Sequence, residues 1–381
     1  MTHKILYVID NLEFGGGERG FLQIIKGLNK KKFSINVAAN PGGLFEKKVC
    51  DIGIPFYPIS FENRFNLSSI RNLRNLIKAK NFDIIHSQGA RADFFCRISV
   101  LMKNKPYLIS TVQMPVDGFN IAIIRKRIYQ LIDRFSEKTV DCFIVVSDAL
   151  ANTLKMEHNI GEEKIRKIYN GIETNIYSSE KNNDGITKKI RNSFNISDND
   201  FLIGSIGRLC WQKGFEYLIR SVPDVLSKYP NVKILLVGEG PLKNTIKDLT
   251  KTLNLEKKVI FAGFRNDVKN ILSALDMLVV PSLVEGFPMI ILEAMAMEKP
   301  IVASKIKGII EQLEDGKEGI LIPAKDHNSI SNSICKIIEN NQFAEKIGRA
   351  AREKVEKLFA VETMIRKTEG IYLAVNTQKH V

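Results

Sequence analysis

The sequence predicts an α/β protein built from two doubly wound parallel-sheet domains that face each other across a cleft. Three observations predict it. The 381 residues suffice for two domains of ~100–200 residues each. Short β-rich runs alternate with helical patterns, the rhythm of βαβ units with right-handed crossovers. A polar stretch at 178–200, rich in Ser, Asn, Asp and Lys, interrupts that rhythm once, after which it restarts.

The first alternation places strands at 4–9, 34–39, 83–86, 107–112 and 142–146, with helices such as 67–80 and 90–102 between them. The second places strands at 201–207, 232–238, 259–263, 277–281, 300–304 and 319–322. The tail is helical from about Ala360, with Met364, Ile365, Ile371, Tyr372 and Val375 as its apolar positions. The domain assignment is therefore 1–177, a linker at 178–200 that includes one short helix, and 201–360, with a helix over about 361–381 packing back on the first domain. Ligands of open α/β sheets bind at the carboxyl ends of the strands, so the site is expected in βα loops of both halves.

Composition narrows the class. A 44% hydrophobic and 26% charged chain is ordinary for a globular protein, which excludes a disordered or fibrous one. The opening apolar run is too short for a signal peptide, and no later run reaches the ~18 residues of a membrane span. A soluble, cytoplasmic protein is expected. Five scattered cysteines without a CxxC pair read as packed, reduced thiols.

The net charge of +14 is uneven: residues 1–170 carry +10 and residues 171–381 carry +4. A basic half implies an anionic partner, such as a phosphorylated substrate or an acidic membrane surface. Nucleic acid is disfavoured, because neither zinc-finger spacing nor basic-region heptads occur. One stretch has Ile121, Ile124, Ile128, Leu131, Ile132 and Phe135 at helical spacing, with Arg125, Lys126, Arg127, Arg134 and Lys138 on the other positions. It reads as a surface helix on a sheet, with an anionic lipid interface as the alternative.

Three loops carry chemistry. Gly15-Gly16-Gly17 follows the first strand, where bare backbone and a helix start favour close approach of an anion; a plain tight turn is the alternative. The second strand ends in Ala38-Ala39-Asn40, with no acid to hold an adenosine ribose, which argues against a nicotinamide cofactor. In the second half, Gly207 and Gly214 frame Arg208 and Lys213, two cations beside a helix start that suit a diphosphate. The run from Pro281 to Ala296 places Glu285 before a helix and Glu293 about two turns inside it, among Ile291, Leu292, Ala294, Met295 and Ala296. Glutamate is rarely buried unless paired, and a ligand bearing hydroxyls would supply partners for both.

Glu285 and Glu293 with seven residues between them, the Gly-Arg-Leu…Gln-Lys-Gly loop, and Leu236-Val237-Gly238-Glu239-Gly240-Pro241 together resemble the family 4 glycosyltransferases. These are retaining enzymes of the GT-B fold, two Rossmann-like domains, that use nucleotide-sugar donors. The resemblance extends to Gly15–Gly17, Val145-Val146-Ser147 and Tyr169-Asn170-Gly171-Ile172, and so covers nearly the whole chain. It implies that Arg208 and Lys213 bind the donor diphosphate and stabilise the leaving nucleotide. Glu293 would hold the ribose hydroxyls. Glu285, with Gly286 and the amides of Phe287, Met289 and Ile290, would bind the donor sugar. Gly263, Phe264 and Arg265 resemble the segment that contacts the nucleobase, and Gly15–Gly17 would close over the sugar phosphate.

Two positions depart from the family pattern. Gln113 stands where a histidine commonly approaches the donor sugar, and Gln88 replaces the second of two frequent histidines. That leaves His86 as the ionisable candidate there, assigned with Arg208, Lys213 and Glu285 to the catalytic set and with Gln113 to the sugar contacts. Asp198-Asn199-Asp200 reads as a solvated turn, and no metal or other cofactor is expected, UDP-sugar being the favoured substrate. The implied activity is transfer of a hexose or N-acetylhexosamine to a glycan or lipid-linked acceptor, with an anionic membrane surface as a further partner of the basic first domain. A sugar-nucleotide epimerase of the same fold and a non-catalytic nucleotide-sugar-binding protein are the alternatives.

Overall fold

The computed structural model describes residues 2–10, 15–61, 66–102, 105–114, 134, 136–177 and 184–378. Most of the basic amphipathic stretch (115–133 and Phe135) lies outside the described residues, as do 178–183. The chain divides into two compact units, one of Met1–Gly171 with Val361–Val381 and one of Ile172–Ala360. Among the described residues, no helix is long and apolar enough to cross a membrane.

The first unit holds a seven-stranded sheet of β1 (His3–Ile9), β2 (Phe33–Ala39), β3 (Phe56–Pro58), β4 (Ile84–Gln88), β5 (Tyr107–Val112), β6 (Cys142–Val145) and β7 (Ile165–Lys167). Their order is β3-β2-β1-β4-β5-β6-β7, and every pairing is parallel. Both faces of a parallel sheet are covered, so its inner strands are nearly continuous apolar runs. Ile5, Tyr7 and Ile9 of β1 pack with Val37, Ile84 and with Phe21 and Ile25 of the helix Gly16–Gly27. The sequence pattern misses β3 and β7. Each is a three-residue edge strand, too short to show a period. β3 ends on a proline that has no ladder donor, and β7 exposes Arg166 and Lys167.

The last helix, Val361–Gln378, belongs to this unit. Its Val361, Met364, Tyr372 and Val375 lie in the same core as β1. The Tyr372 hydroxyl sits 2.6 Å from the Tyr7 hydroxyl and 2.5 Å from Nδ1 of His86, whose Nε2 is 2.6 Å from Oγ1 of Thr111. Burial lowers the His86 pKa to about 3, so the ring is neutral and one nitrogen accepts while the other donates.

A second buried polar cluster joins separate elements of this unit. Glu137 lies 3.9 Å from Nη1 of Arg97 and accepts from Nδ1 of His158 at 2.9 Å. The hydrogen bond to Glu137 raises the His158 pKa. Burial and Arg134 oppose that shift, and Glu157 adds to it. A raised folded-state pKa means stability that is full below the ordinary imidazole value of 6.5 and is lost as pH rises through the folded value. The melting-temperature gap between wild type and His158→Gln should therefore be widest below pH 6.5 and narrow as pH rises above it. A gap independent of pH would remove the pair as its source.

The second unit holds β8 (Phe201–Ile206), β9 (Val232–Val237), β10 (Val259–Gly263), β11 (Met277–Val280), β12 (Ile301–Ser304) and β13 (Ile320–Ile322). They form an all-parallel sheet in the order β10-β9-β8-β11-β12-β13. The helix Phe215–Lys228 buries Leu218, Ile219, Val222 and Val225 against Ile203, Ile234 and Val279 of the sheet.

The segment expected to link the domains is instead part of this unit. Its helix Asp184–Ser193 carries a buried Arg191, which donates to the carbonyls of Ala274 (3.1 Å) and Ser197 (2.9 Å) and to Oδ2 of Asp276 (3.3 Å). The polar composition that looks like a linker serves this one anchor. The unit begins earlier than position 201, at Ile172, which pairs with Ala360 where the chain leaves the unit.

Candidate active site

In the second sheet the strand order reverses between β8 and β11, the place where open α/β sheets bind ligands. The loops leaving these two strands are locked together. The amides of Leu283 and Val284 both donate to the Gln212 carbonyl, at 2.6 and 3.2 Å. Gly214 adopts φ +62°, and a Cβ there would overlap the carbonyl of Pro281. Gly214→Ala should therefore cost well over ~1 kcal/mol, read as a lower urea midpoint for the second unit.

That lock brings Lys213 to Glu285. Lys213 Nζ lies 2.6 Å from Glu285 Oε1, and the Ser282 hydroxyl donates to the same oxygen at 2.7 Å. The Glu285 side chain is only 5% exposed, and among the described residues its Oε2 has no hydrogen-bond partner. The result is a buried carboxylate with one oxygen satisfied by protein and the other able to accept from a ligand. Arg208 stands exposed on the same β8 loop.

The helix after β11 begins at Met289, with Pro288 as its N-cap. Met289 and Ile290 therefore present their amides at the helix start, where an intrahelical acceptor is lacking. Gly286, Phe287 and Met289 are buried. Glu293 lies one turn into the helix rather than two, 2% exposed, and accepts from the Tyr177 hydroxyl at 3.3 Å. Both carboxylates are thus buried on the β11 side, as the apolar surroundings of Glu293 implied.

At the end of β10, Gly263 takes φ +68° and Phe264 is 57% exposed. Arg265 is engaged within its own loop. Its Nε and Nη2 each donate to Asp267 at 2.8 Å, and its guanidinium sits 5.7 Å from the Phe194 ring. Phe264 is the accessible side chain of that segment. Asp200, of the Asp-x-Asp pair, accepts from the Ser197 amide (2.7 Å) and pairs with Lys233 (3.0 Å), a turn as expected. Among the described residues no three His, Cys, Asp or Glu side chains converge as metal ligands would.

In the first unit the order reverses between β1 and β4. Gly15 caps the helix Gly16–Gly27, its amide donating to Glu18 Oε2 at 2.8 Å. Asp10, which the sequence reading passed over, accepts from the amides of Arg91 (2.8 Å) and Ala92 (3.2 Å) and so caps the helix Ala90–Ser99. Gln113 meets Gln88 and Asn170: its Nε2 donates to Gln88 Oε1 and to Asn170 Oδ1, both at 3.2 Å, and its Oε1 accepts from Asn170 Nδ2 at 2.9 Å.

His86 is not part of this surface. It is fully buried, and both its ring nitrogens are taken by Tyr372 and Thr111. Its assignment as catalytic residue or sugar contact is corrected to a core hydrogen-bonding role. Alternation does not separate His86 from Gln88, since residues two apart on β4 share a face; what does is its partner Tyr372, 286 positions away. Ser282 and Tyr177, which position the two glutamates, carry no sequence signal of their own.

Comparison with known proteins agrees with this geometry. The family model "Glycosyltransferase Family 4" matches residues 14–176, and "Glycosyl transferases group 1" matches residues 186–354. An uncharacterized glycosyltransferase of Methanocaldococcus jannaschii is 32% identical, over 60% of this chain and 59% of its own length. The UDP-Gal:α-D-GlcNAc-diphosphoundecaprenol α-1,3-galactosyltransferase of Escherichia coli is 25% identical over 96% of this chain and 95% of that one. Among solved structures, HepE of Anabaena in complex with UDP and glucose superimposes with a TM-score of 0.85 at 23% identity, covering 98% of this chain and all of that one. The two α/β units, the locked β8–β11 loops and the matching family models lead to one conclusion: the chain belongs to the group 1, family 4 glycosyltransferases, enzymes of the GT-B fold.

Proposed function

We propose that this glycosyltransferase moves a hexose or N-acetylhexosamine from a UDP-sugar to a lipid-linked acceptor, with retention at the anomeric carbon, in the synthesis of a surface polysaccharide or glycolipid. The observation that carries the reading is the half-satisfied Glu285 beside Lys213, a carboxylate for a sugar hydroxyl next to a cation for a phosphate. The resemblance to an enzyme named for a UDP-sugar donor and a diphosphoundecaprenol acceptor supports the substrate classes. The fold is shared with a solved protein described in complex with UDP and glucose, which supports a UDP-sugar as donor.

In this reading Lys213 and Arg208 meet the charge that develops on the departing diphosphate. Glu285 Oε2 accepts from a donor-sugar hydroxyl, and Glu293 holds ribose hydroxyls. Glu285 is tied by Lys213 and Ser282, which suits a hydrogen-bonding role better than a nucleophilic one. The acceptor oxygen then bonds to the anomeric carbon on the face the diphosphate leaves, and the acceptor's proton passes to the departing phosphate oxygen. The chemistry calls for no metal, so turnover should persist in excess chelator. Loss of activity in chelator, restored by Mn²⁺ or Mg²⁺, would overturn that part.

The +10 charge of residues 1–170 supports work at the anionic cytoplasmic face of a membrane, where a lipid-linked acceptor is presented. The test of the whole reading is a thermal-shift screen of UDP-, GDP- and ADP-sugars, followed by a turnover assay with lipid-linked acceptors. A UDP-sugar should raise the melting temperature. No shift with any of them would sink the donor assignment, and a new sugar nucleotide formed without acceptor would identify an epimerase.

A further inference from the structure

We infer that Gln88, and not Gln113, is the member of the first unit's amide cluster that meets substrate, donating a hydrogen bond from Nε2 to an uncharged sugar hydroxyl. This rests on the nucleotide-sugar reading above.

The argument is a count of hydrogen bonds. A primary amide has two N–H donors and one carbonyl oxygen. Gln113 uses both donors, to Gln88 Oε1 and Asn170 Oδ1, and its oxygen accepts from Asn170 Nδ2. It has no N–H left for a ligand. Gln88 uses only its oxygen. Its side chain is nine-tenths buried and more, at 4% exposed, yet Nε2 has no partner among the described residues. An N–H that no protein acceptor takes up can give its hydrogen bond to a ligand.

That donor points at the first turn of the helix Gly16–Gly27. Gln88 Nε2 lies 3.0 Å from where a Cβ on Gly17 would stand, so any side chain at 17 would crowd it. Gln88 ends β4 next to Ile9, the end of β1, where the strand order reverses. The group it meets is uncharged for an electrostatic reason. Glu18, 3% exposed, already places a carboxylate at this helix start and accepts from the Gly15 amide. A phosphate would meet a like charge there, contrary to the expectation that Gly15–Gly17 closes over the sugar phosphate, whereas a hydroxyl would not. Gln113 and Asn170 are then positioning residues that fix which end of the Gln88 amide faces outward.

The test uses the full chain as wild type, Gln88→Met, Gln88→Glu, Gln113→Met and the Gln88→Met/Gln113→Met double variant. Calorimetry measures UDP and UDP-N-acetylglucosamine, UDP-galactose and UDP-glucose; turnover is measured with GlcNAc-diphosphoundecaprenol. UDP affinity should be the same in all proteins. If the hydroxyl belongs to the donor sugar, Gln88→Met weakens UDP-sugar binding about tenfold; if it belongs to the acceptor, it leaves that affinity intact and lowers turnover about tenfold. Gln88→Glu, which keeps the oxygen that Gln113 needs, should show the same loss, and a wild-type melting temperature of the Gln88→Met protein rules out misfolding as the cause. The effect of Gln113→Met should vanish in the Gln88→Met background, where a merely structural effect would persist. UDP binding with both Gln88 variants within twofold of wild type in affinity and turnover overturns the inference alone. Failure of wild type to bind UDP overturns the nucleotide-sugar reading and the inference with it.

Discussion

Lys213→Ala is expected to lower kcat/KM by about 100- to 1,000-fold, the range for removing a group that faces charge developing in the transition state. Two effects combine. The departing diphosphate loses a cation, and Glu285 loses the partner 2.6 Å from its Oε1, leaving that oxygen to Ser282 alone. An unpaired buried carboxylate is the less stable arrangement, although Lys213 is a quarter exposed and water would take up part of the loss. The fall should therefore appear mainly in kcat, with weaker UDP binding and a modest drop in melting temperature. Lys213→Arg should recover part of the activity, since the charge is kept but the compact ammonium geometry is not. A Lys213→Ala enzyme with near wild-type turnover would refute the assignment, and Arg208→Ala tests the second cation in the same assay.

Ending the chain at Ala360 is expected to unfold the first unit while the second keeps its structure. The truncation strips Val361, Met364, Tyr372 and Val375 from a core shared with β1 and the helix Gly16–Gly27. At ~1.5–3 kcal/mol for each fully buried apolar side chain, the loss is comparable with the whole stability of a domain. It also leaves Tyr7 and His86 without the Tyr372 hydroxyl, and each buried polar group left unpaired costs a further ~1–3 kcal/mol. Hydrogen exchange is the direct measurement: protection should vanish in β1, β4 and β5 and persist in β8, β9 and β11. Native-like protection in β1 would show that the helix is dispensable. Tyr372→Phe is the milder version, keeping the packing and removing only the hydroxyl.

Much of this protein is legible in its sequence. The long inner strands show as apolar runs because both their faces are covered. The loop glycines at 207 and 214 and the pair Glu285 and Glu293 mark the β8 and β11 loops before any coordinates. The short edge strands β3 and β7 do not show, since three residues carry no period. The short helix at 184–193 reads as part of a linker because its anchor is one arginine, a polar residue whose burial depends in part on the Ala274 carbonyl 83 positions away. His86 and Gln88 look alike as candidates, two polar residues at the end of one strand. Only the structure separates them, by giving His86 two partners while Gln88 Nε2 has none among the described residues.

The sequence by itself determined the number of sheets, the parallel α/β class, the loops that hold the two cations and Glu285, and the helix start that carries Glu293. Those are local matters of periodicity, turn chemistry and spacing. The tertiary structure alone decided that the carboxyl-terminal helix completes the first core, that Lys213 binds Glu285, and which polar residue of β4 has a donor left for a ligand. Each of these depends on a partner distant in the chain. Alternation fixes the face a side chain points to but says nothing of what waits there.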